Sequence, residues 1–161
     1  LGSAGQQIEV PDLKKNKLLL SGLTLGEVTL QNGNPAMPSI EPVQSGFSPV
    51  ASVSQAAIRQ FRPGSILGYS YKIYNADLDK GTRQPKLTVQ VRLYRDGQVV
   101  TDGPEQPMQL EPQSDLARIS DYGYMRLPAE AEPGDYALQV IIKDLNDNET
   151  TAQWVDFEVV K

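Results

Sequence analysis

The amino-acid sequence predicts an all-β protein, an immunoglobulin-like antiparallel β-sandwich of about seven to nine strands with Greek-key connections. Residues 87–94 alternate apolar and polar side chains, which is the period of two that a half-buried strand requires. Asp96-Gly97 follows at once and predicts a type I′ hairpin, because both central residues of that turn take positive φ. No window shows a convincing amphipathic helix, so the fold prediction depends on strands and turns.

The C-terminal segment supplies the topological part of this prediction. Residues 133–136 read Pro-Gly-Asp-Tyr and predict a tight turn that leads into a strand. A polar turn at 144–148 then separates this strand from a last one at 151–160. A Tyr just inside a strand after such a turn is typical of a tyrosine corner, in which the hydroxyl bonds to upstream backbone. Tyr136 is therefore expected to pack its ring in the core of a Greek-key sandwich.

The N-terminal part of the chain is divided into an arm and the start of the domain. We expect a linker or ordered arm over residues 1–16 and one domain over residues 17–161. Residues 17–30 predict a first strand region in two short runs, interrupted at Ser21-Gly22 by a bulge or bend. Residues 31–50 carry four Pro and two Gly and predict a long irregular excursion. Such an excursion is either a functional loop or a strap over one sheet edge.

The middle of the chain predicts further strands. Residues 51–60 fit a helical turn or extended chain, and the flanking prolines favour extended chain. Residues 66–74 predict a strand whose apolar and aromatic side chains share one face. A short edge strand is expected at 98–101, and residues 108–110 and 116–127 predict one or two more strands.

The composition excludes several classes of function. The chain has no Cys and no His, so disulfides and any Ser-His-Asp or Cys-His catalysis within it are excluded. The net charge is −5 and no basic run occurs, so a nucleic-acid partner is not expected. No apolar run reaches the roughly 20 residues of a membrane helix, so membrane insertion is not expected either. The chain begins at Leu1, and we expect a fragment or mature piece of a longer protein.

Five phrases occur in order along the chain: QFRPG at 60–64, YKIYNA at 71–76, QVRLYRDG at 90–97, PGDYALQV at 133–140 and TAQWVDFEV at 151–159. Together they resemble the C-terminal β-rich region of the von Willebrand factor A (VWFA)-related proteins of Acidobacteria. The resemblance covers residues 17–161.

This resemblance implies the context of the domain more than its chemistry. In such proteins a secretory signal precedes an A-type domain, and the β-rich region follows that domain. The A-type metal site uses an Asp-x-Ser-x-Ser motif, which this chain lacks, so no metal-binding or catalytic residue is carried over. The resemblance does imply an extracytoplasmic location: secreted, periplasmic or in the cell envelope.

Two acidic loops are candidate calcium ligands. In an immunoglobulin-like topology the loops 77–81 and 144–149 lie at the same pole. Four carboxylates would then converge, and calcium prefers six to eight such oxygen ligands. An EF-hand is excluded, because its sixth and twelfth positions would fall on Glu149 and Val155. The structural alternative is two solvated polar turns without a cofactor. The candidate ligands are Asp77, Asp79, Asp144 and Asp147.

Three aromatic residues are candidates for a partner surface. Tyr74, Tyr94 and Trp154 have the outward parity of their strands, where an aromatic ring stacks on sugars or anchors a protein partner. The structural alternative is ordinary packing, in which Tyr and Trp bury their rings and leave a polar tip in water.

No feature of the sequence indicates an enzyme, since the acidic residues lie mostly in turns and a catalytic pair needs a concave, desolvated site. We expect a non-catalytic interaction or scaffolding module of a larger secreted bacterial protein, accessory to an upstream A-type domain. Its expected partner is another protein or a neighbouring domain. The alternative is a calcium- or carbohydrate-binding β-sandwich module.

Overall fold

The computed structural model describes residues 17–28, 30–31, 34–35, 59–110 and 115–161. These ranges contain twelve strands and no helix. The predicted arm at 1–16, most of the predicted excursion at 31–50 and the ambiguous residues 51–58 lie outside the described residues. The strands are β1 Leu19–Leu20, β2 Thr24–Glu27, β3 Leu30–Gln31, β4 Asn34–Pro35, β5 Gln60–Phe61, β6 Ile66–Tyr74, β7 Leu87–Arg95, β8 Gln98–Asp102, β9 Gln106–Pro107, β10 Arg118–Arg126, β11 Gly134–Asp144 and β12 Thr150–Val159.

Ten of these strands form two sheets, and β3 and β4 pair only with each other. In the smaller sheet β6 is central, with β10 on one side and the short β1 and β2 on the other. The larger sheet has the order β5-β12-β11-β7-β8, and β9 also pairs with β7. Every pairing is antiparallel except that of β5 with β12, which is parallel. The protein is therefore all-β, with two mostly antiparallel sheets.

The two sheets share one hydrophobic core, because side chains at alternate positions of the long strands are buried together. β6 contributes Leu67, Tyr69, Tyr71 and Ile73 from the smaller sheet, as its alternation predicts. β11 and β12 contribute the corresponding positions of the larger sheet: Tyr136, Leu138, Val140, Ile142, Val155, Phe157 and Val159. Burial of apolar area on this scale is the main stabilising contribution in a domain of this size.

The first strand region is broken as predicted. β1 and β2 both pair with β6, and residues 21–23 between them leave the ladder. Ser21 accepts a hydrogen bond from the backbone N–H of Lys72 through its hydroxyl oxygen, at 2.9 Å. The side chains of both runs still enter the core: Leu18, Leu20, Leu23 and Leu25 are all buried.

Tyr136 makes the predicted tie to upstream backbone. Its hydroxyl donates a hydrogen bond to the carbonyl oxygen of Glu132 at 2.9 Å, and its ring is buried. The ring lies 5.6 Å from that of Phe157 between centroids. Arg95 forms an ion pair with the carboxylate of the same loop residue, Glu132. The turn before β11 is thus fixed by two side chains that bond to one residue.

Of the one or two strands predicted at 108–110 and 116–127, the structure has one, β10. One sequence prediction needs correction. The described part of the excursion is not wholly irregular, since β3 and β4 pair there. The Asp96-Gly97 turn is confirmed, with φ of 50° and 77° at its two residues. The edge strand after it, β8, is exposed along its whole length.

Candidate functional site

A shallow groove of about 890 Å³ lies on the outer face of the larger sheet. The register of β12, β11 and β7 brings its residues together: Gln139 pairs with both Trp154 and Arg92, and Ala137 pairs with both Asp156 and Tyr94. Cross-strand partners in an antiparallel sheet point to the same face. The outward residues of three neighbouring strands therefore line one continuous surface.

Two aromatic rings stand on either side of the groove. Trp154 on β12 has 62% of its surface exposed, the most among the exposed large hydrophobic residues of the described chain. Tyr94 on β7 is half-buried, and its hydroxyl donates a hydrogen bond to Oε1 of Gln139 at 3.0 Å. β12 and β7 flank β11, so the backbones of these two strands are about 9.5 Å apart. The two rings are offset by two residues along the strands, because Trp154 pairs with Gln139 and Tyr94 pairs with Ala137. Ala137 projects only a methyl group, which leaves the floor of the groove open beside Tyr94.

The groove carries an excess of negative charge. Among the described residues of its lining, four are acids with exposed side chains and one, Arg59, is cationic. Glu158 accepts a hydrogen bond from Nε2 of Gln60 at 2.7 Å, and Asp96 lies 3.5 Å from Nε of Arg95. The carboxylates of Asp135 and Asp156 accept no hydrogen bond from any side chain of the described residues. The four acids are Asp96, Asp135, Asp156 and Glu158.

The predicted aromatic set is divided between the two sheets. Tyr94 and Trp154 lie on the outer face of the larger sheet and line the same groove. Tyr74 ends β6 in the smaller sheet, where it pairs with Leu19 and Arg118, and it does not reach the groove. Tyr74 therefore lies on a different sheet from Tyr94 and Trp154, and the role of the three rings in binding a partner stays a prediction. Parity places a residue on the outer face of its own sheet but does not say which sheet that is.

The two acidic loops do meet at one pole, as predicted from the topology. The backbone N–H of Asp77 donates to Oδ2 of Asp144 at 2.7 Å. In return, Nδ2 of Asn146 donates to the carbonyl oxygen of Asp77 at 2.8 Å. These two bonds join loops that are 67 and 69 residues apart in sequence. The loops are joined, however, by protein groups rather than through a shared set of carboxylates.

Asp144 is the buried acid of this pole. It is 0% exposed, and its second oxygen, Oδ1, accepts from the backbone N–H of Asn146 at 2.9 Å. Burial raises the pKa of Asp144, and the two backbone donors oppose that shift only in part. A buried carboxyl with both oxygens bonded to backbone acts as a structural connector between loops.

Two of the other three predicted ligands, Asp79 and Asp147, also form hydrogen bonds within their own loops. Asp79 accepts from the backbone N–H groups of Gly81 and Thr82, at 3.0 and 2.8 Å, and from Nζ of Lys86 at 3.0 Å. The backbone donor of Thr82 and the ammonium of Lys86 hold the pKa of Asp79 well below its usual range. Asp147 accepts from the backbone N–H of Glu149 at 2.9 Å. Within the described residues, no three acidic side chains come together as a metal-binding group.

The groove carboxylates were not singled out from the sequence. Asp135 and Asp156 have the same outward parity as Gln139 and Trp154, so strand alternation carries a signal for them. The pairing of β11 with both β12 and β7 is not local information, and only that pairing brings the residues together. Ala137 is informative in the same way, because a small residue between Asp156 and Tyr94 is seen to open a groove only when the strand order is known.

No protein-family model matches this chain, and a search of curated proteins finds no significant relative. Within the described ranges, no helix has the length and apolar character needed to span a membrane.

Proposed function

We propose that this chain is a non-catalytic interaction module of a larger secreted bacterial protein, accessory to an upstream A-type domain, and that the groove is its binding surface. The observation that carries the proposal is Trp154, a tryptophan 62% exposed on the outer face of β12. Exposed aromatic rings beside polar groups are typical of the energetic centres of interfaces. The extracytoplasmic location and the A-type neighbour rest on the resemblance described above.

We infer an immunoglobulin-like Greek-key topology for the domain. Its support is the order of the strands, because the long strands from β6 to β11 alternate between sheets: β6 is in the smaller sheet, β7 in the larger, β10 in the smaller and β11 in the larger, where β12 then joins it. The tie of Tyr136 to Glu132 at the crossing from β10 to β11 is what a tyrosine corner requires at that position.

The absence of catalysis is part of the proposal. The four groove acids are exposed on an open face, whereas a general acid needs a dry, concave environment that separates its pKa from that of its partner. The acid with a burial-raised pKa, Asp144, has both oxygens bonded to backbone and lies about 30 Å from Asp135 along β11. An enzyme would need an accessible carboxyl group and a carboxyl group with a raised pKa in the same site.

Carbohydrate binding is the second candidate, and Gln139 favours it. An amide beside an exposed indole offers the donor and acceptor groups that bind sugar hydroxyls while the ring stacks on the sugar face.

The proposal is tested with the chain and two matched aromatic variants. The chain has no Cys, so one Cys added at a terminus takes a single fluorophore for titration with envelope proteins of the source bacterium. We expect saturable binding by the wild type and by Tyr74→Ala, and at least about tenfold weaker binding by Trp154→Ala, as for a typical central interface residue. Equal binding by all three chains would contradict the groove as the binding surface.

A further inference from the structure

We propose that the groove binds a basic, extended segment of a protein partner, with a lysine or arginine side chain lying across Trp154. This inference rests on the proposed function and deepens it by naming the chemistry of the partner. It draws on the charge of the lining, on the position of the indole and on the dimensions of the groove.

The charge of the lining is the first argument. Four carboxylates and one guanidinium leave the groove with a local excess of three negative charges (four minus one). Asp135 and Asp156 face solvent without a side-chain partner in the described part of the chain. Potentials across an interface are generally complementary, so a cationic segment is favoured and an anionic one is repelled. Arg59 in the lining and Arg95, whose Nε lies 3.5 Å from Asp96, neutralise only part of this field.

The position of the indole is the second argument. Trp154 and Asp156 are two residues apart on the outer face of β12, hence about 7 Å apart along the strand. A cation over the face of Trp154 is attracted by the ring, since tryptophan is the best aromatic acceptor for such a contact. The same cation lies within ion-pair reach of the Asp156 carboxylate. An indole and a carboxylate on one face thus suit a single basic side chain.

The dimensions of the groove set the length of the ligand. From Glu158 to Trp154 the outward residues of β12 span about 14 Å, and β12 and β7 are about 9.5 Å apart. An extended peptide advances about 3.3 Å per residue, so the groove accommodates a segment of roughly four residues. Alternate side chains of such a segment point the same way, which allows two basic residues to face the carboxylates.

The experiment uses the fluorescence of Trp154, the only tryptophan of the chain. Chain 1–161 is titrated with tetra-arginine and tetra-lysine, and with a Gly-Ser tetrapeptide, tetra-glutamate and neutral oligosaccharides as comparisons. We expect a saturable change in emission with the two basic peptides only. Raising the salt from about 20 to 200 mM is expected to weaken binding several-fold, because exposed charges are screened over shorter distances.

Two double variants of equal net charge distinguish binding in the groove from a general effect of the negative charge of the protein. Asp135→Asn with Asp156→Asn is expected to raise the Kd for tetra-arginine about fivefold, as expected for the loss of two exposed charge pairs. Asp77→Asn with Asp147→Asn removes the same charge from the pole where the loops 77–81 and 144–149 meet. This variant is expected to leave the Kd unchanged. For Trp154→Ala, binding is followed by the anisotropy of a labelled peptide, and a clear loss is expected.

Each contrary result has a defined meaning. Absence of saturable binding by basic peptides, or equal loss in the two double variants, would overturn this inference. If neutral oligosaccharides saturate the Trp154 signal and basic peptides do not, the basic partner is wrong while the groove remains a binding surface. If neither binds and Trp154→Ala still associates with envelope proteins like the wild type, the proposed function fails as well.

Discussion

At one end of β11 acidic side chains are bonded inside the protein, whereas at the other end they face solvent. Asp144 is buried with both oxygens on backbone donors, and Asp79 is held by its own loop and Lys86. Asp135, nine residues before Asp144, pairs with Glu158 on the open face that also carries Trp154. We call the loops 77–81 and 144–149 the closed end. A carboxylate is thus available to a partner only where no neighbouring backbone N–H group donates a hydrogen bond to it.

A substitution at the closed end is expected to cause the largest loss of stability. Asp144→Ala removes the acceptor of two part-buried hydrogen bonds, those donated by the backbone N–H groups of Asp77 and Asn146. We expect a loss of about 2 kcal/mol in the free energy of unfolding, because an unsatisfied donor shielded from water costs about 1–3 kcal/mol and these donors are shielded only in part. Urea unfolding measures this loss. Asp147→Ala, an exposed acid of the same loop, is the matched control and is expected to change stability by less than about 1 kcal/mol.

The corner beside the groove gives the next effect. Tyr136→Phe removes the hydrogen bond to the Glu132 carbonyl while the ring stays in the core. The expected loss is about 1 kcal/mol or more, the usual contribution of one such bond. Tyr94→Phe removes a hydroxyl that bonds to Gln139 on the outer face, and it serves as the control in the same thermal melts. An unchanged melting temperature for Tyr136→Phe would count against the tyrosine corner.

Asp79 and Asp144 are expected to have opposite dependences on pH. The lowered pKa of Asp79 gives stability that is present above its ordinary value of 3.8 and is lost as pH falls through the folded value. The raised pKa of Asp144 gives a contribution that is greatest below 3.8 and falls as pH rises to the folded value. Between about pH 3 and pH 7 the cost of Asp79→Asn therefore grows and that of Asp144→Asn shrinks. Parallel trends in chemical unfolding would contradict the assignment.

Trp154 is expected to contribute little to stability. Its ring is largely exposed, so Trp154→Ala should change the free energy of unfolding by less than about 0.5 kcal/mol. Val155→Ala, the next residue on the opposite face of β12, is buried and should cost about 1–3 kcal/mol in the same measurement. A large loss from Trp154→Ala would mean that the indole serves the fold rather than a partner.

The smallest predicted effect is that of calcium. Three of the four candidate carboxylates, those of Asp79, Asp144 and Asp147, accept hydrogen bonds from protein donors, so millimolar calcium is expected to leave the melting temperature of chelator-treated protein unchanged. A site saturated 100-fold would add about 2.7 kcal/mol, which is a shift of several degrees for a domain of this size. Such a shift, abolished by Asp77→Ala, would restore the calcium hypothesis.

Local chemistry in the sequence predicts most of the strands. The alternation in β6 and β7, the Asp96-Gly97 turn and the position of Tyr136 each depend on a few neighbouring residues, and all agree with the structure. Asp144 was predictable in the same way, since it continues the buried period of two that runs from Tyr136 to Ile142. Because Asp144 begins a polar turn, the sequence suggested instead that its side chain is exposed to solvent.

What the sequence could not supply is the pairing between distant strands. Tyr74 and Tyr94 have the same outward parity, yet β6 and β7 belong to different sheets, so the two rings lie on different surfaces. The groove depends on β11 lying between β12 and β7, and that order follows from packing of the whole core. Local sequence patterns thus predict individual strands and turns. Which residues share a surface can be stated only when the tertiary arrangement of the strands is known.

One spectrum compares the two ends directly. Tetra-arginine is added to the uniformly ¹⁵N-labelled chain, and amide shifts are followed at 135–139 and 154–158 in the groove and at 77–81 and 144–149 in the closed end. We predict saturable shifts confined to the groove segments and to Nε1–H of Trp154. Shifts at the closed end, or no saturable shift in the groove, would contradict the claim that the outer face of the larger sheet is the binding surface for a basic segment.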